Sequence, residues 1–158
     1  EDILAKFNIG VTYLPKDEKK ALEIFDDILS HEEHHRHKIY EIRIYEALAQ
    51  YYTFRKNFEM AEKYFKKLME IQKYQSQHFL FTYAFFLAFQ GRISDGEKII
   101  KEILDMFPQN HLVLVNAAKF YSVTNYYKKA AELFTKDYNL FSTRETHLLL
   151  KKLEEEKK

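Results

Sequence analysis

The sequence predicts an all-α chain of repeated helical hairpins, and three observations carry that prediction. Its 158 residues include only three glycines (Gly10, Gly91, Gly96) and two prolines (Pro15, Pro108), whereas β-rich chains spend both types on tight turns. Four series of residues recur in step: Ala49, Ala84 and Ala118; Tyr52, Leu87 and Tyr121; Ala61, Gly96 and Ala130; Phe65, Ile100 and Phe134. Each series advances by 35 and then by 34 residues, a period in the range of helical repeats. Turn formers fall between the two halves of each period, at Asn57, Ser94 and Asn125.

Residues 1–41 read as a degenerate N-terminal hairpin, with Gly10 and Tyr13 on one helix, Ala21 and Phe25 on the next, and Pro15 at the start of the second. Its markers lie 39 or 40 residues ahead of the next set, so the extra residues fall in the His31–Tyr40 connection. A longer helix or a broken junction is expected there. Residues 42–76, 77–110 and 111–142 are the three clear hairpins, in which a small residue on each helix lets two backbones approach and larger markers fill the flanks. Ser94 with Glu97 predicts a capping box, and Pro108 followed by Asn110 closes the second hairpin and caps the third. Ser142 with Glu145 predicts another box opening a lone cap helix over 143–158, which ends in a polar KKLEEEKK tail and solvates the end of the stack. The whole chain, 1–158, is read as a single domain.

These residues resemble the tetratricopeptide (TPR) repeat, with the middle unit supplying the family's loop glycine at Gly91, small second-helix residue at Gly96 and closing proline at Pro108. Tyr45, Leu80 and Leu114 stand where the family carries Trp, and proline is missing from the first and third units. The resemblance implies a right-handed solenoid whose concave inner face is the usual ligand groove. Within that frame the apolar helix Phe79–Phe89 is informative, because a helix apolar on every side should be covered on every side. Phe81, Phe85 and Phe89, spaced by one turn each, are left aimed at the inner face. The matching positions are Glu46, Gln50 and Phe54 before them and Val115, Lys119 and Val123 after them, with Arg43 and His78 nearby. The carboxylate clamp of some family members, built from Lys, Arg and Asn, is incomplete here. An apolar peptide or amphipathic helix of another protein is therefore the expected ligand, with self-association or internal filling of the groove as alternatives.

Composition excludes several classes. Twelve Tyr and fourteen Phe supply more buriable area than a disordered chain carries. A net charge of +1 gives no field to gather nucleic acid, and the Lys pairs at 19–20, 66–67, 128–129 and 151–152 mostly have acidic neighbours. No apolar run reaches the length of a membrane span. Cysteine is absent, removing thiolate metal sites and Cys nucleophiles.

The catalytic string His31-Glu32-Glu33-His34-His35 matches H-E-x-x-H, the spacing that sets two imidazoles on one helical face around zinc. A zinc peptidase also needs a third ligand and a strand edge, and no strand pattern exists, so the string reads as a solvated junction; adventitious metal binding by His31, His34, His35 or His37 is the lesser alternative. No phosphate loop or nucleophile elbow is present. The sequence thus predicts a noncatalytic interaction module without cofactor or resident metal, a scaffold or a chaperone for an apolar client. A regulatory sensor domain of a larger protein, or a metal-dependent hydrolase through His31 and His35, is the alternative. The chain opens at Glu1 rather than Met, so a removed signal stays open; the cytoplasm is preferred over an envelope-tethered setting.

Overall fold

The computed structural model describes residues 2–30, 37–72 and 77–156. Among these residues every regular element is an α-helix, nine in all, and within each of two units consecutive helices pack against one another, the closest pairs as hairpins. The chain forms two compact units, 1–73 and 74–158.

The first unit holds α1 (Ile3–Tyr13), α2 (Glu18–Ser30), α3 (His37–Phe54) and α4 (Phe58–Gln72). Asp2 caps α1 by accepting from the backbone N–H of Leu4 at 3.0 Å, and Asp17 accepts from the N–H of Lys20 at 3.1 Å to open α2. Pro15 lies in the turn between these helices, not at the start of the second, because Asp17 takes the capping position. The two helices approach at Gly10, where a Cβ would stand 2.5 Å from the Phe25 ring. In the next hairpin, Ala49 and Ala61 are both buried, as the small-residue pairing requires.

The second unit holds α5 (Gln77–Phe89), α6 (Ile93–Met106), α7 (His111–Val123), α8 (Tyr127–Phe141) and α9 (Arg144–Glu156). Gly96 sits so close to α5 that a Cβ would meet the Ala84 carbonyl oxygen at 2.6 Å, and Ala118 with Ala130 repeats the arrangement in the next hairpin. Asn110 caps α7 through Val113 N–H at 3.1 Å, as its position after Pro108 predicts. The other two predicted caps shift. Helix α6 begins at Ile93 behind Arg92, so Ser94 lies inside it, and no capping box forms. Ser142 takes the left-handed conformation that ends α8, and Thr143 instead accepts from the N–H of Thr146 at 3.2 Å to open α9.

The three clear hairpins share one turn. Lys56, Gly91 and Asn125 all have positive φ, and the N–H that follows each returns to the carbonyl of Tyr52, Leu87 and Tyr121 respectively, at 2.9, 3.0 and 2.8 Å. This is the Schellman closure of a helix end, repeated at the period read from the sequence.

Candidate functional site

The predicted groove residues divide by exposure. On α5, Phe81 is 5% exposed, Phe85 is half-buried and Phe89 is 80% exposed. The gradient arises because α7 packs against α5: the Phe85 ring meets Phe120 edge-on at 5.6 Å, and Phe89 stacks on Phe85 at 6.4 Å. On α7, Val115 is 3% exposed, Lys119 is half-buried and Val123 is 55% exposed. Phe81 and Val115 therefore belong to the packed interior and present no surface. The expectation of a continuous stripe misjudged how closely α5 and α7 approach. His78, at the other end of α5, is exposed.

In the first unit, Phe54 is 85% exposed at the end of α3, Gln50 is exposed and Glu46 half-buried. Arg43 is exposed too, its guanidinium 5.8 Å from the centre of the Tyr40 ring. Phe54, Phe89 and Val123 are each the last residue of their helix and keep the 35- and 34-residue spacing. The repeat thus leaves a large apolar side chain in water immediately before each Schellman turn.

Lys119 and Val123 also line a cleft of about 470 Å³ among α7, α8 and α9, together with Phe134, Leu149, Lys152 and Leu153. Its rim is tied by Lys119 to Glu145 at 3.4 Å. A more open depression of about 660 Å³ follows α8 past Lys128, Ala131, Thr135 and Leu140, and no predicted site residue lines it.

Two polar clusters went unrecognised in the sequence. Glu97 accepts from Lys129 at 2.5 Å and from the Tyr121 hydroxyl at 3.2 Å; the Lys129 bond, with lesser help from Tyr121 and Lys101, holds its carboxyl below the usual range. That bonding is what its side chain does in place of capping α6. Asp137, fully buried on α8, accepts from Thr146 Oγ1 of α9 at 2.5 Å, while its other oxygen meets His111 Nδ1 of α7 at 2.9 Å. The available signal was positional. Asp137 stands where the two preceding hairpins carry Leu68 and Ile103, both fully buried.

The string His31–His35 lies outside the described residues, as does the side chain of His37. Among the described residues, no group of three or more His, Asp or Glu side chains is placed to hold a metal ion. No described helix is long and apolar enough to cross a membrane. In comparison with known proteins, the chain matches no family model and no curated relative.

Proposed function

We propose that this chain is a noncatalytic, TPR-like interaction module that binds an apolar peptide or amphipathic helix of another protein. The observation that carries the reading is Phe89: a ring left in water at the end of α5 and yet held by Phe85, itself anchored edge-on to Phe120. An exposed aromatic on a packed pedestal loses little side-chain freedom when a partner covers it, which is the profile of a binding anchor. Val123, at the matching position of the next hairpin in the same unit, extends the same chemistry. Half-buried Lys119 supplies charge for register more than for strength. Scaffold and chaperone roles share this contact and differ only in whether the client is soluble alone.

The test compares proteins captured from a lysate of the source organism by the native chain, by Phe89→Glu and by Leu140→Glu, an exposed apolar site elsewhere. Both side chains are solvent-exposed, so the melting temperature should stay within a degree or two of native in each. A protein retained by the native chain and by Leu140→Glu and lost by Phe89→Glu supports the reading, and its affinity should fall about 30-fold or more, as for an interface anchor. Identical capture by all three chains overturns it.

A further inference from the structure

We infer that the face of the third hairpin beneath α9 is an exchangeable helix-docking site: α9 occupies it within the chain, and a partner helix of the same pattern takes its place. The inference goes beyond the Phe89 contact: it places a second, separate site on the chain and names the pattern of helix that the site accepts.

Three observations converge on α9. Of its thirteen residues only Thr146 and Leu153 are buried, whereas α7, of the same length, buries seven. The contact is therefore small. It is also built on a carboxylate: where the repeat elsewhere seats Leu68 and Ile103, this junction seats Asp137, whose oxygens are satisfied by Thr146 and His111. A buried carboxylate regains water when its cover leaves, so this junction costs less to open than an all-apolar one of equal area. Finally, α9 joins α8 through Ser142, a non-glycine residue held at φ 50°, a left-handed conformation it can relax once α9 is free. The cleft of about 470 Å³ already present beside α9 shows that α9 leaves room on this face.

The occupant in place specifies what the site accepts. Thr146 and Leu153 are seven residues apart, two turns on one face, and Glu145 beside Thr146 reaches Lys119. The partner is thus an amphipathic helix with an acid–hydroxyl pair in its first turn and a leucine seven residues beyond the hydroxyl.

The probe is a fluorescein-labelled peptide carrying residues 143–156, titrated with the full chain and followed by anisotropy. In the full chain, Thr146→Val removes the bond that α9 makes to Asp137, so the peptide should bind this variant about tenfold more tightly than native, and a peptide carrying Leu153→Asp should not bind. Failure of the peptide to bind either chain, or equal binding of the Leu153→Asp peptide, overturns the inference. Amide hydrogen exchange on the native chain tests it without any variant: α9 should exchange at least tenfold faster than α7 and α8, and exchange of all three together overturns it. No partner is present in these experiments, so their failure leaves the Phe89 contact standing, and loss of that contact leaves them unaffected.

Discussion

At Gly96 the absence of one methyl group decides how closely two helices lie. A Cβ there would stand 2.6 Å from the Ala84 carbonyl oxygen and 3.1 Å from the Phe120 ring, and the first of these is backbone, which cannot turn aside. Alanine is the better helix former by about 1 kcal/mol, so propensity alone favours Gly96→Ala. Steric overlap opposes it and wins, because overpacking of a closed core costs about 1–3 kcal/mol and an obstacle of rigid backbone puts this site toward the upper end of that range. Gly96→Ala is expected to lower the melting temperature by several degrees, measured by circular dichroism; an unchanged or raised value would show that the hairpin opens freely at this point. The small residue at this position was legible in the sequence, since Ala61, Gly96 and Ala130 recur in step. Asp137 was not, because a single carboxylate among apolar neighbours reads as a solvated residue until Thr146 and His111 are brought to it.

Hairpins repeat more faithfully than their sequences do. Each of the three closes with a left-handed residue, but the residue is Lys56, then Gly91, then Asn125. The left-handed region costs a non-glycine residue about 1–2 kcal/mol, less for Asn, whose short side chain tolerates it. Substitution should therefore have opposite signs at equivalent positions. Lys56→Gly is expected to stabilise the chain, Asn125→Gly to do so by less, and Gly91→Ala to destabilise it by about 1 kcal/mol, through conformation alone, since a Cβ at Gly91 meets nothing within 4 Å. Urea unfolding of the three variants ranks them, and a stabilising Gly91→Ala would contradict the shared turn. Helix positions were readable because the apolar period spans many residues. The caps at Ser94 and Ser142 were misassigned because α6 opens behind Arg92, which makes no side-chain cap bond and so carries no capping signal, and because Thr143, one residue past Ser142, takes the capping bond of α9.

At the scale of the whole molecule, which predicted groove residues stay in water depends on how far each first helix is covered by its neighbours. The period located Phe54, Phe89 and Val123 correctly at equivalent positions, but it could not foresee that Phe81 and Val115 would be enclosed, since that depends on interhelical distance and not on register. The same enclosure governs the tyrosines, and it yields a test that spans both units. Burial, then the neighbouring Glu41 carboxylate, pushes the Tyr45 hydroxyl up to about 12. Burial followed by hydrogen bonding to Glu18 raises Tyr52, and burial followed by the charge of Glu97 raises Tyr121. Because these groups hold their protons more tightly folded than unfolded, their contribution to stability is complete below the unfolded value of about 10 and is lost as pH climbs through the folded values. Glu97 behaves oppositely: its lowered carboxyl stabilises the fold above its ordinary range and ceases to as pH falls through the folded value. Stability should accordingly hold level between these limits and decline from about pH 10 upward. Absorbance at 295 nm checks the alkaline limb directly. With circular dichroism confirming that the helices persist, part of the signal from the twelve tyrosines should appear only well above pH 10, whereas in urea all should ionise in one wave. Glu18→Gln should bring both Tyr51 and Tyr52 forward and leave Tyr121 late, since Glu18 accepts hydrogen bonds from Tyr51 and Tyr52 whereas the Glu97 charge acts on Tyr121. A single wave near pH 10 in the folded chain would mean that these hydroxyls meet water freely, and the enclosure of the first helices would have to be redrawn.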